Sequence, residues 1–239
     1  MGDIVYWCLR QAPQPSIARA SLSPAERTTY QGFRFDARQK SWLAGRFAAK
    51  SLVSNVHDGR CRPDQIEIRN DELGAPNAYH AGQPLPGCLS ISHSGDWAAA
   101  AYTPSGPQVG IDLETITPRS EGFIRDYFTE HEVKMVSSAH AGSLQGTPHS
   151  AERATLIWSA KEALLKALGI GLRMDTRRVE VIAIEDEERA DAAGWKRLGL
   201  SSTQVNSPVE AYWRQFGPYM MTLALLMDTT TNITLIEIH

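Results

Sequence analysis

The sequence predicts an α+β fold assembled from two halves. Three observations point there. Strand-like alternation and helical periodicity both recur along the 239 residues, yet they do not alternate strictly, which argues against a doubly wound parallel sheet. The order runs strand, helix, strands, and then strand, helices, strands. Turn chemistry at Thr103-Pro104-Ser105-Gly106-Pro107 falls where the second round begins. It places the junction near Pro104 to Val109 and the halves at residues 1–106 and 107–239.

The elements come in this order. Asp3 to Leu9 is rich in strand formers. Ser23-Pro24-Ala25-Glu26 has the chemistry of a helix start, with Ser23 as cap, Pro24 in the first turn and Glu26 at the capping-box position. Asp36 to Asn55 reads as a long helix carrying Trp42, Leu43, Phe47, Ala48 and Leu52. Short extended segments come next: Gln65 to Arg69, Cys88 to Ser92, Trp97 to Tyr102 and Gln108 to Leu113. Gly122 to Ser138 reads as helix with a break near Phe128-Thr129, and Ala151 to Leu168 is the clearest helix of all. Beyond Arg178 the chain alternates like strands at Val179 to Ile184, Val209 to Gln215, Met220 to Met227 and Ile233 to Ile238.

Composition narrows the function. The formal net charge is -3, whereas a general nucleic-acid binder carries a basic excess. Cys8, Cys61 and Cys88 are widely spaced and match no zinc pattern or disulfide framework. A cytoplasmic location is expected from that usage. The start, MGDIVYWCLRQAPQ, has no basic segment followed by a long apolar one, and the longest apolar run, Tyr219 to Met227, is too short to span a bilayer. No membrane or nucleic-acid partner is expected.

Three segments carry chemistry. In Gly110-Ile111-Asp112-Leu113-Glu114 a strand would put both carboxylates on one face. Adjacent carboxylates repel unless a cation or proton lies between them, and an all-oxygen set suits magnesium. Taken alone, the pair also fits a solvated edge strand. In Trp158-Ser159-Ala160-Lys161-Glu162-Ala163-Leu164-Leu165-Lys166, an apolar stripe of Ile157, Leu164 and Leu168 leaves Glu162 outside it. Glu162 and Lys166 equally fit an ordinary surface pair four residues apart. Lys161 fits that reading badly, because it falls near the stripe and must snorkel or meet an anion. In Ser90-Ile91-Ser92-His93-Ser94-Gly95, a strand ends in a small polar turn that could receive phosphate oxygens, Ser92 and His93 included.

The order and spacing of these segments resemble the 4'-phosphopantetheinyl transferase superfamily, specifically its surfactin-synthetase-activating (Sfp-type) branch. The resemblance runs from Ser23, Pro24, Glu26 and Arg27 to the strands beyond Gly171. It rests on the S-H-S turn, on G-I-D-L-E about twenty residues on, and on the W-x-x-K-E-x-x-x-K helix about fifty further. It implies two similar halves forming an intramolecular pseudo-dimer, active as a monomer, with the active site in the cleft between them. It implies transfer of the phosphopantetheine arm of coenzyme A to a serine of an apo acyl or peptidyl carrier protein, releasing adenosine 3',5'-bisphosphate. Asp112, Glu114 and Glu162 would hold Mg2+, or Mn2+. Lys161 and Lys166 would stabilise phosphate charge, and Glu162, directly or through water, would take the serine proton. Ser92, His93, Arg46 and Lys50 would bind the nucleotide end, His93 and Lys50 at the 3'-phosphate. The carrier would dock beside Phe123 to Phe128. Two departures stand out. Gly74-Ala75-Pro76 lacks a lysine that many relatives place at its centre, and Gln31 and Gly32 are neutral where some relatives are basic. The sequence offers Arg46 and Lys50 as compensation. No G-x-x-x-x-G-K-[ST] loop supports a different phosphotransferase.

Overall fold

The computed structural model describes residues 2–138, 148–185, 190–191, 193–228 and 232–239. The chain is α+β and divides into two compact units. The first runs to Val109 and regains the C-terminal strand; the second starts at Gly110. The division thus falls three residues beyond the expected one. The final strand does not stay with the second half, because its pairing partner is the first strand of the chain.

The first unit opens with β1 (Asp3–Gln11), α1 (Pro15–Ala20), α2 (Pro24–Gln31) and α3 (Asp36–Val56). It continues with β2 (Ile66–Asn70), β3 (Pro76–His80), β4 (Gln83–Pro84), β5 (Cys88–Ser94) and β6 (Trp97–Thr103). Among later strands, β12 (Ile233–Glu237) lies parallel to β1, giving the sheet order β12-β1-β6-β5 beside a small sheet β2-β3-β4. Ser23 caps α2 through the expected capping box with Glu26. Helix α3 lays Ala44, Ala48, Ala49, Leu52 and Val53 against Cys8, Ala98, Ala100 and Tyr102. The run Ala98–Ala101 is fully buried. Its small side chains let the helix approach the strand closely, and each large aliphatic side chain buried here contributes about 1.5–3 kcal/mol.

The second unit contains β7 (Gln108–Thr115), α4 (Glu121–Tyr127), α5 (Glu130–Ser138) and α6 (Pro148–Ala167). Strands β8 (Val179–Ile184), β9 (Lys196–Ser202), β10 (Val209–Phe216) and β11 (Tyr219–Leu226) complete it, in the order β7-β11-β10-β9-β8. The break expected near Phe128-Thr129 separates α4 from α5. Helix α6 is not the one-striped helix the sequence suggested. From Ala154 to Ala167 every residue is buried except Glu162 and Lys166, which are half-buried.

The two units share an order of elements. Each has a first strand, two short helices, a long helix and further strands, and closes on a hairpin whose second strand, β6 or β11, pairs with the first strand. Sequence reading missed α1, β3, β4 and β9. They are short or polar, and β9 carries Gly199 opposite a register shift in β8. Sheet pairing, not local propensity, makes the last three of these strands.

Candidate active site

Gly110 brings the site of the second unit together. A Cβ at this position would lie 1.8 Å from the Ala163 carbonyl oxygen and 2.7 Å from the Ala167 nitrogen. Only glycine lets the backbone of β7 touch α6. Two residues later, Asp112 sits 4% exposed in the middle of the strand. Its Oδ1 accepts a 2.7 Å bond from Lys166 Nζ, which also donates to the Ile111 carbonyl at 3.2 Å. The surface-pair alternative is therefore excluded for Lys166: its ion-pair partner lies on another element.

Glu114 stands further along the same strand. Its Oε2 accepts from Arg119 Nη2 at 3.1 Å, and Trp158 of α6 donates to its carboxylate. Burial raises its pKa, the Asp112 charge adds to this, and Arg119 opposes both. Glu162 completes the group. Burial first, then the charge of Asp112 and, more weakly, of Glu114, push its pKa up to about 7 against the pull of Lys166. Its Oε1 is buried and has no hydrogen-bond partner among the described residues. Three carboxylates thus share one negative field, a donor set of hard oxygens that fits a hard divalent cation. The side chains do not stand as a finished ligand cage. Among the described residues no three His, Cys, Asp or Glu groups have metal-holding spacing; Asp112 and Glu114 are instead hydrogen-bonded to Lys166 and Arg119.

Lys161 is not part of this group, and the expectation that it stabilises phosphate charge is corrected. It is fully buried. Its ammonium lies 2.6 Å from Glu132 Oε2 and donates to the carbonyls of Tyr127, Thr176 and Val179 at 3.2, 3.1 and 2.8 Å.

The first unit holds a separate cavity of about 160 Å³, lined among others by Arg38, Trp42, Arg46, Gly74, Pro76 and His93. Exposed His93 reaches it from β5, and Ile91, two residues earlier on the same face, does too. Ser92 is corrected: the strand runs on to Ser94, so alternation turns Ser92 to the other face, where it is buried. Arg46 Nη2 donates to Asn70 at 3.0 Å, and its guanidinium lies 4.8 Å from the centre of the Trp42 ring. Lys50 is corrected as well. It is fully buried and paired with Glu26. Steps of four residues advance about 40° beyond a full turn. The row Arg38, Trp42, Arg46 therefore stays on the cavity, while Lys50, about 120° on from Arg38, has rotated into the core. Arg38 was missed by sequence reasoning. Its eight-residue spacing to Arg46, two steps of four through Trp42, was the signal that could have found it, and it supplies a cation where Ala75 does not.

The aromatic segment divides. Phe128 is core at 2% exposure, whereas Tyr127 is 39% exposed and packs edge-on to Trp158 at 5.3 Å.

Residues 108–213 match the family model of the 4'-phosphopantetheinyl transferase superfamily. Over 193 residues the chain is 33% identical to a phosphopantetheinyl transferase from Thraustochytrium sp., covering 77% of this chain and 64% of that one. It is 29% identical over 180 residues to the L-aminoadipate-semialdehyde dehydrogenase-phosphopantetheinyl transferase of Schizosaccharomyces pombe, covering 70% and 65%. The chain thus spans just under two thirds of the length of these curated relatives. A crystal structure of a holo-(acyl-carrier-protein) synthase from Bacillus anthracis, in complex with CoA (3',5'-ADP), aligns to 52% of this chain and all of that one, with 20% identity and a TM-score of 0.40. The segment that carries Asp112, Glu114, Glu162 and Lys166 is thus similar to the 4'-phosphopantetheinyl transferase superfamily.

Proposed function

We propose that this protein transfers the 4'-phosphopantetheine arm of coenzyme A to a serine of an apo carrier protein, as an Sfp-type member acting as a monomer. One observation carries the reading. On a stretch of helix otherwise buried, the only two half-buried residues are Glu162 and Lys166, and both interact with the acid pair of β7. A surface pair has no reason to sit there, and a reaction at phosphate does.

The work is divided among few residues. Asp112, Glu114 and Glu162 would hold magnesium, which when bound neutralises charge on the pyrophosphate. Glu162, directly or through water, would take the proton of the attacking serine. Lys166 holds Asp112 in place and offers positive charge to the phosphoryl group. The adenosine bisphosphate is the leaving group. In the first unit, Arg38, Arg46 and His93 would receive the nucleotide phosphates. Arg46 already faces Glu26, its Nε 3.8 Å from Glu26 Oε1, and donates from Nη2 to Asn70, so a phosphate would add to an existing ion pair. Carrier docking is proposed beside Tyr127.

The test is direct. The protein is incubated with coenzyme A, magnesium and an apo carrier, and the carrier is weighed by mass spectrometry. Its mass should rise by one phosphopantetheine, and no rise with any of several apo carriers would reject the reading.

A further inference from the structure

A buried acid–lysine device occurs twice among the described residues. In the second unit, Thr129 and Glu132 form a reciprocal cap at the start of α5: Thr129 N–H donates to Glu132 Oε2 at 2.8 Å, and Glu132 N–H donates to Thr129 Oγ1 at 3.3 Å. Glu132 Oε1 accepts the Val181 N–H of β8 at 2.8 Å, and Lys161 of α6 pairs with Oε2. In the first unit, Ser23 and Glu26 cap α2 in the same way. Glu26 Oε1 accepts the Ile68 N–H of β2 at 3.0 Å, and Lys50 of α3 pairs with Oε2. Each carboxylate therefore ties a short helix, a strand and the long helix together.

The copies differ just past the lysine. After Lys50 comes Ser51; after Lys161 comes Glu162. Five residues beyond the lysine stand Asn55 and Lys166. The device itself is thus no phosphate site, since it is complete in a unit whose helix lacks the acid. In the second unit, however, its rigidity has a use. Lys161 fastens α6 to Glu132 and to three carbonyls, from the end of α4 and the approach to β8. Along a helix, one residue's anchorage fixes the azimuth of the next. We propose that Glu132 and Lys161 are positioning residues that aim Glu162 at its cation, an assignment that rests on the reading of Glu162 as a metal ligand.

The test removes each device whole, so that no unpaired charge is left buried. Glu132→Met with Lys161→Met is compared with Glu26→Met with Lys50→Met. Mn2+ alone is titrated into each protein and into Glu162→Gln, with free Mn2+ counted by electron paramagnetic resonance. Melting temperatures confirm folding. Loss of outer-shell partners typically weakens metal binding about 10–100-fold. The second-unit pair should raise the Mn2+ Kd at least about ten-fold, towards that of Glu162→Gln, while the first-unit pair leaves it unchanged. Equal weakening in both pairs would reduce the device to general stability and overturn the proposal. So would an unchanged Kd in the second-unit pair, or wild-type Mn2+ binding indifferent to Glu162→Gln. The readout needs no transfer. A protein that gave the expected Kd pattern yet modified no carrier would sink the transferase reading and leave the positioning role standing. Should the second-unit pair fail to fold, Glu132→Gln keeps the shape of the side chain and must show the same selective rise.

Discussion

Alanine at position 110 adds one methyl group where the backbone of α6 already sits. The added Cβ would stand 1.8 Å from the Ala163 oxygen, against an ordinary contact that begins near 3.4 Å. Neither neighbour is the tip of a flexible side chain; both are helix backbone. Strand and helix must therefore separate by about 1.5 Å, and the close packing of the surrounding core resists this. Overpacking typically costs about 1–3 kcal/mol and sometimes more, and a backbone clash belongs at the upper end. A loss of about 3 kcal/mol in a chain of this size lowers Tm by roughly 6–12 °C. Activity should suffer more, because Asp112 is two residues from the clash and Glu162 and Lys166 are on the displaced helix. A misplacement of 1 Å can cost about a hundred-fold in rate. Gly110→Ala should therefore lose at least about 100-fold in carrier modification at a temperature where it is still folded. Gly122→Ala is the control. A Cβ there meets only Ser120 Oγ at 3.9 Å, so rate should be unchanged and stability slightly improved by the better helix propensity of alanine. Thermal melts and steady-state transfer decide the matter. Wild-type rate and Tm in Gly110→Ala would refute the account of how β7 and α6 are held.

Three further outcomes are expected. Glu162 has a pKa raised from 4.5 to about 7; the stability this contributes is fully present below pH 4.5 and is lost as pH rises through 7. Without divalent cation, wild type should therefore lose about 1–2 kcal/mol relative to Glu162→Gln between those limits, after halving for partial exposure; a flat difference in denaturant titrations would remove the shared field of the three carboxylates. Lys166→Met keeps the stem but loses the ammonium that binds Asp112, and should cost roughly 2–4 kcal/mol of transition-state stabilisation, measured as steady-state transfer rate; an unchanged rate would show that this cation faces no reacting charge. His93→Ala should weaken coenzyme A binding by calorimetry more than it weakens binding of dephospho-coenzyme A, and equal losses would place the 3'-phosphate elsewhere.

The parts of this molecule that were legible in the sequence are those whose chemistry is local. The capping box at Ser23 and Glu26 is written in four adjacent residues, and the acid pair on β7 comes from the two-residue period of a strand. Glu162 and Lys166 could be placed on a helix, but not told from a surface pair, because what distinguishes them is the burial of every neighbour from Ala154 to Ala167. That burial comes from elements far along the chain. Ser92, Lys50 and Lys161 were misread for related reasons. A strand two residues longer than expected brings His93 into the alternation, on the face opposite Ser92. A helix long enough to drift carries Lys50 off the cavity. The acid that holds Lys161 stands 29 residues away on another helix, at Glu132.

The repeated device explains why the misreading of the two lysines had one cause. Buried lysines are expensive, and in each unit the cation is tolerated because one carboxylate meets it while also taking two backbone N–H groups. Desolvation lowers the pKa of both Lys50 and Lys161, and the paired glutamate raises it. A motif read as a run of letters invites the assumption that every charged letter meets substrate. Here the two charges of Lys161-Glu162 point to different tasks, because adjacent helix residues lie about 100° apart. One faces the interior and fastens the helix. The other faces the acid pair of β7. The first unit keeps the fastening and lacks the chemistry: its helix has Ser51 and Asn55 at the matching places, and β1 carries no acids two residues apart. Putting the missing acid back, as Ser51→Glu, should therefore create no second Mn2+ site, since there is no acid pair for it to join. A second bound Mn2+ in that variant would show that the fastened helix, rather than the acid pair it faces, is what makes a metal site in this fold.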